Sequence, residues 1–144
     1  MFKINEIRPL AVCIIKHNGK LLAGIGHDKI KKETFYRLLG GGIEFGEKAE
    51  VTLLREFEEE LNTRLENVRY ITTLENIFTY EGKKGHELVF VFEADLTNKN
   101  LYEKDNIPIL DSKEKGIAVW QNISDFKSGK LILYPDGADK LLRE

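Results

Sequence analysis

Three consecutive glycines, Gly40 to Gly42, separate a strand-like run, Thr34 to Leu39, from an amphipathic segment, Lys48 to Leu61. No other feature restricts the folding of this chain as strongly. Glycine takes backbone conformations closed to other residues, and with no side chain it lets another group approach closely. The spacing after it predicts a helix over 48–61. There Val51, Leu54, Phe57 and Leu61 recur at three, three and four residues and form one apolar stripe. The glycines are therefore expected to link strand to helix, with backbone carbonyls and amides pointing into a site.

The flanking segments read as β-structure. Pro9 to His17 carries the run LAVCII, apolar and β-branched enough for a strand buried on both faces. Asn18-Gly19 signals a hairpin, since both residues tolerate positive φ, and Lys20 to Gly26 returns as the second strand. Residues 68–79 and 87–96 read as two longer strands joined by a turn at Gly82-Lys83-Lys84-Gly85. Gly116 to Trp120 is a short strand. Asn122 to Phe126 is one helical turn with Ser124 as a cap, and Asp136 to Arg143 is a helix after Pro135. Strands on either side of a central helix, closed by a second helix, predict an α/β fold with a mixed sheet between helices.

With 144 residues, the chain is expected to be one domain over 1–144. Its 22 bases and 24 acids give a net charge of −2, which argues against a partner such as a nucleic-acid duplex or an anionic membrane surface. The longest clean apolar run, Leu10 to Ile15, has six residues, against the roughly 20 a membrane span needs. The N-terminus shows no signal-peptide pattern. A single cysteine, Cys13, fits a reducing cytoplasm and reads as a buried, inert thiol.

The small net charge hides an asymmetry. Between Glu44 and Glu60 there are seven glutamates (44, 47, 50, 56, 58, 59, 60) against two bases, Lys48 and Arg55. Glu56, Glu59 and Glu60 stand at i, i+3 and i+4, so they share a helix face. Like charges at this spacing destabilise a helix by a few tenths of a kcal/mol per pair, and their place near the helix C-terminus adds a dipole penalty. By themselves they also suit a solvated acidic face. A bound cation would neutralise them, and hard ions such as Mg²⁺ or Mn²⁺ take carboxylate and carbonyl oxygens. Arg55 can hold a carboxylate in its fork of donors.

The whole string GGGIEFGEKAEVTLLREFEEELNT, residues 40–63, closely resembles the Nudix hydrolase signature. Gly41, Glu47, Arg55, Glu56, Phe57, Glu59 and Glu60 fall on its pattern at the right spacing. Asn62 stands where the family has glycine, Thr63 where it has an apolar residue, and Leu39 where a proline often precedes the glycines. Asn readily takes the left-handed conformation that ends a helix, so the cap is expected to survive. The likeness extends over roughly residues 8–142, including the lead FYRLLGGGIEFGE and the late segment around Trp120.

The resemblance implies a Nudix α/β/α sandwich that cleaves a diphosphate linkage in a nucleoside diphosphate derivative, using Mg²⁺ or Mn²⁺. It implies Glu56, Glu59 and Glu60 as metal ligands, with the Gly40 carbonyl joining them. Arg55 would orient the carboxylates. Gly41, Glu44 and Glu47 would support the box. For the general base Glu59 comes first, Glu114 in the loop DSKEKG second, and Glu87, beside His86, third. Arg37 and Tyr80 are candidate substrate contacts, the partner being a small phosphate ester. A homodimer is also open, through strand 87–92 or residues 1–7. The competing reading is a Nudix-fold domain that senses a nucleotide without cleaving it.

Overall fold

The computed structural model describes residues 5–110 and 116–143. Its elements run β1 (Ile7–Ile14), β2 (Lys16–His17), β3 (Lys20–Asp28), β4 (Glu33–Arg37), β5 (Leu39–Gly42), α1 (Ala49–Leu61), β6 (Leu65–Tyr80), β7 (Lys83–Leu96), β8 (Asn106–Pro108), β9 (Ile117–Asn122), α2 (Ile123–Lys127) and β10 (Leu133–Tyr134). Short 3₁₀ turns cover Lys99–Glu103 and Ala138–Leu141.

The strands form two mixed sheets. One has the order β5-β1-β7-β6, with β1 parallel to β7 and antiparallel to β5. The other runs β10-β4-β3-β9-β8, with β2 paired to β3. The period-two alternation of β1 sorts its side chains between two cores. Ala11 and Cys13 join Leu53, Phe57 and Leu61 of α1. Val12 and Ile14 join Ile123 and Phe126 of α2. Both faces are covered, as a continuous apolar run requires, and the architecture is the expected α/β sandwich. Strand β7 lies between β1 and β6, so Val89, Val91 and Phe92 are core residues.

Local chemistry explains where the elements start and stop. Asn18 and Gly19 take φ of 50° and 73°, the pair of positive values a tight hairpin needs. The second long hairpin turns at Glu81-Gly82, φ 49° and 80°, rather than at residues 82–85. Lys83, Lys84 and Gly85 instead pair with Tyr80, Thr79 and Phe78. Asn62 ends α1 in the left-handed conformation, φ 50° and ψ 47°; its amide donates to the Glu58 carbonyl, and the Thr63 amide donates to the Phe57 carbonyl.

Four expectations are corrected. The three glycines are not a loop: Gly40, Gly41 and Gly42 belong to β5 and pair with Val12, Ala11 and Leu10. The inward face of α1 is not the Val51/Leu54/Phe57/Leu61 stripe. Val51 is 51% exposed and Leu54 37%, while Thr52, Leu53, Phe57 and Leu61 are buried. The buried arc is centred near Leu53 and Glu60, so Glu56 and Glu60 share it, both half-buried. Residues 136–143 hold only the turn Ala138–Leu141, after a cis Tyr134-Pro135 bond. Finally, α2 starts at Ile123, so Asn122 rather than Ser124 holds the cap position.

Candidate active site

Helix α1 lies against β5, and the absence of side chains at Gly40 to Gly42 lets it come close. A Cβ on Gly41 would fall on the Glu56 carboxyl group. Gly40 has φ +153°, and a Cβ there would overlap the Ala11 carbonyl of β1. So Gly41 is needed for the carboxylate, and Gly40 for the backbone of the neighbouring strand.

Arg55 organises the carboxylates. Its Nε donates to Glu47 Oε2 at 2.8 Å and its Nη2 to Glu47 Oε1 at 2.9 Å, a two-point fork. Nη1 reaches Glu56 Oε1 at 3.1 Å and Glu59 Oε2 at 3.4 Å. Nη2 also donates to the Gly42 carbonyl at 3.4 Å and lies 3.7 Å from Glu44 Oε1. Glu47 is held further by the Thr52 hydroxyl at 2.8 Å and the Glu44 amide at 3.2 Å. Thr52 is fully buried because its hydroxyl has this partner. One guanidinium thus ties together Glu44, Glu47, Glu56 and Glu59, and the reading of Arg55 and Glu47 as the frame of the box fits this geometry.

The two best-ordered carboxyls are driven in opposite directions. The Arg55 fork, with the Thr52 hydroxyl, holds the Glu47 carboxyl down at about 2. Burial pushes the Glu56 carboxyl up, against the pull of Arg55, and the charge of Glu59 adds to the rise. Glu56 is therefore a half-buried acid that would gain from a second cation. Arg55 is held well above its ordinary range by Glu47 and stays charged.

The donor chemistry suits a hard divalent ion: carboxylate oxygens of Glu56 and Glu59 share one edge of α1, both bonded to the Arg55 guanidinium that also donates to the Gly42 carbonyl of β5. Among the described residues, no three acidic, histidine or cysteine side chains stand close enough together to hold a metal ion. Glu60 faces inward on the same arc, and its carbonyl accepts the Leu110 amide at 2.7 Å. Glu114 lies outside the described residues.

The remaining candidates scatter. Tyr80 packs edge-on against Phe35, centroids 5.9 Å apart, and its hydroxyl donates to the His27 carbonyl at 3.4 Å. It sits four residues along β6 from Asn76, or roughly 13 Å at strand rise. The Arg37 guanidinium lies over Gly24, Cζ 3.2 Å from where a Cβ would stand. Glu87 is half-buried on β7; Asn76 donates to its Oε1 at 3.2 Å, and burial pushes its carboxyl up. Cys13 is buried and burial raises its thiol, as an inert residue requires. One residue escaped sequence reasoning altogether. Arg8 of β1 lays its guanidinium on Gly42, Nη2 2.8 Å from the Cβ position there. The signal was the third glycine, which the box itself does not use.

The sequence profile of the NUDIX domain matches residues 7–143. The chain belongs to the NUDIX family. A curated relative, the NAD-capped RNA hydrolase NudC of Mycobacterium tuberculosis, is 34% identical over 66 residues, which cover 46% of this chain and 21% of that protein. The chain thus spans about a fifth of the length of the curated relatives it matches. Among solved structures, the mutator MutT protein of Bacillus halodurans superposes with a TM-score of 0.61 at 18% identity, over 93% of this chain and 78% of that one. The MutT NUDIX hydrolase of Burkholderia pseudomallei gives 0.61 at 20% identity, over 83% and 86%. These likenesses establish the NUDIX fold. No helix among the described residues is long and apolar enough to cross a membrane.

Proposed function

We propose that this chain hydrolyses a diphosphate linkage in a small nucleoside diphosphate derivative, by attack of water at phosphorus. The observation that carries the reading is the Glu56 carboxylate pressed onto Gly41 beside Glu59, with Arg55 bridging both. A buried acid crowded by a second acid is costly unless cations offset it, and a bound cation leaves positive charge for an anionic phosphate to meet.

Glu56, Glu59 and Glu60 would hold Mg²⁺ or Mn²⁺, joined by the Gly40 carbonyl. When bound, the ion neutralises the phosphoryl oxygens and lowers the pKa of water. The chain's own residues supply the rest. Glu47 anchors Arg55, and Arg55 sets the positions of Glu56 and Glu59. Glu59 has a side chain 42% exposed, next to the buried Glu56, and is our first choice for accepting the proton of the attacking water. Glu114 is the second. Glu87 ranks last, because it lies on the face of the sheet away from α1. Arg37, a half-buried cation with no ion pair among the described residues, is proposed to meet a phosphate. Tyr80 is proposed to lie toward the nucleoside end. The cytoplasm is the proposed location.

The test is phosphate or nucleotide release from a panel holding a nucleoside triphosphate, a nucleotide sugar, a dinucleoside polyphosphate and NAD, with Mg²⁺ and with chelator. Metal-dependent turnover of one class supports the reading. No turnover on any member favours a nucleotide sensor. Glu59→Gln should lose several orders of magnitude in kcat. If it keeps near-full activity while Glu114→Gln loses it, the base is Glu114.

A further inference from the structure

The box accounts for Gly40 and Gly41, but not for Gly42. Alternation along β5 turns the Cβ position of Gly42 to the face opposite α1, where Gly42 pairs with Leu10 of β1. The Arg8 guanidinium fills that place, with Nη2, Nε and Cζ at 2.8, 3.2 and 3.4 Å from it. Any side chain at 42 would evict it. Arg8 is half-buried, yet among the described residues it makes no hydrogen bond and no ion pair. A guanidinium taken partly out of water with no bonding partner among the described residues is an unusual expense in a folded protein.

Its surroundings are built rather than casual. Arg8 stands directly across from Glu87 in the parallel pairing of β1 and β7, and Glu87 stands across from Asn76 on β6. Asn76 is 3% exposed and fully engaged: its Nδ2 donates to Glu87 Oε1 at 3.2 Å and its Oδ1 accepts the Asp136 amide at 3.1 Å. The row Arg8–Glu87–Asn76 therefore crosses three strands and ends on the loop after cis Pro135. Glu87 is near enough to feel the charge of Arg8 but does not bond it within 4 Å. Arg8 is held in place by counter-charge while its donors stay available. The guanidinium also acts on Glu56, across the thin edge that β5 makes.

We infer that Arg8 is a substrate-binding residue: it grips a phosphate of the nucleoside diphosphate group on the face of β5 opposite the carboxylates of α1. The inference rests on the reading of this site as a diphosphate hydrolase and names how its substrate is held. One phosphoryl group meets the carboxylate side of the edge strand; the other meets Arg8, which can offer two parallel donors to two oxygens. Glu87 is not part of this grip, and its charge opposes the incoming anion.

The two residues must then act with opposite sign, which a merely structural row would not do. The experiment is calorimetric titration of the full chain with ADP in the presence of chelator, so that neither metal nor turnover enters. Arg8→Gln should weaken ADP binding at least tenfold, Arg8→Lys should restore part of it, and Glu87→Gln should tighten it. Adenosine binding should be unchanged in all three. If the wild-type chain fails to bind ADP, or if Arg8→Gln binds it within twofold of wild type while keeping its melting temperature, the inference is overturned. Should Arg8→Gln unfold, Arg8→Lys decides: a lysine places one point charge where two donors were, so unchanged affinity also overturns it. A chain that binds ADP through Arg8 but turns over nothing refutes the proposed hydrolysis and leaves this inference standing.

Discussion

Gly40 and Gly41 are neighbours in one strand, yet the structure makes them fail in different ways. Consider Gly41→Ala first. Its backbone is not in the positive-φ region, so alanine fits the strand without backbone strain. The new methyl group lands on the Glu56 carboxyl, the far end of a flexible side chain. Glu56 has to swing away, forfeiting its 3.1 Å bond from Arg55 Nη1, worth about 1.5–3 kcal/mol, but recovering the hydration that burial cost it. Replacing glycine also reduces the freedom of the unfolded chain, a gain of about 0.4–1 kcal/mol. The loss and the two gains nearly cancel, so the melting temperature should stay within about 4 °C of wild type. Activity should not survive, because a group displaced by ~1 Å or more costs on the order of 100-fold.

Gly40→Ala is the contrast. Its methyl group meets backbone, the Ala11 carbonyl and the Val12 Cα, and its φ of +153° is one that alanine adopts with strain. Overpacking of about 1–3 kcal/mol and backbone strain of about 1–3 kcal/mol then add up. The melting temperature should fall by roughly 10 °C or more. The assays are thermal unfolding by circular dichroism and metal-dependent phosphate release on the best substrate of the panel. The reasoning is refuted if Gly41→Ala keeps activity within threefold, or if it melts as low as Gly40→Ala.

Three other outcomes follow from the same geometry. The Glu47 carboxyl sits at about 2 in the fold against an ordinary 4.5; a depressed acid stabilises above its unfolded pKa and loses that contribution as pH falls through the folded one. Wild type should therefore lose stability between about pH 5 and 2 more steeply than Glu47→Gln, measured as melting temperature against pH; equal slopes would count against the Arg55 fork. Glu56 is shifted the other way by burial, so its cost is in force at neutral pH and is relieved below the unfolded pKa. Glu56→Gln should melt higher than wild type without metal and should lose the stabilisation that Mg²⁺ gives wild type; an undiminished Mg²⁺ response would place the ion elsewhere. Asn62→Gly should leave the helix cap intact, whereas Asn62→Val should cost about 1–2 kcal/mol, read by urea titration, because a β-branched residue resists the left-handed conformation.

What the sequence made legible was local. The Asn18-Gly19 turn, the Asn62 cap and the spacing from Gly41 to Glu60 depend on residues close in the chain, and each stands as read. The turn at Glu81-Gly82 was missed because Gly85 looked like part of it. In fact Gly85 is a strand residue, one whose missing side chain leaves room for the Phe78 ring. Contacts between distant segments were not legible. Arg8, Glu87 and Asn76 form one row only because β1 pairs in parallel with β7, and no periodicity announces that pairing.

The misread face of α1 has the most to say about function. An apolar stripe was sought because the inner side of a helix is normally apolar, and Val51 and Leu54 completed the pattern. The helix instead turns Thr52, Glu56 and Glu60 toward the sheet and leaves Val51 and Leu54 exposed. Hydrophobic burial alone would rotate α1 the other way. It is held in this orientation by the side chains of Leu53, Phe57 and Leu61, by the Arg55–Glu47–Thr52 network, and by Gly41 and Gly42, which leave space for carboxylate on one side of β5 and for guanidinium on the other. A helix that gives up part of its apolar contact and presses an acid onto a glycine strand is shaped by more than hydrophobic packing. For the same reason, a pattern search for the best-packed helix finds the wrong face here.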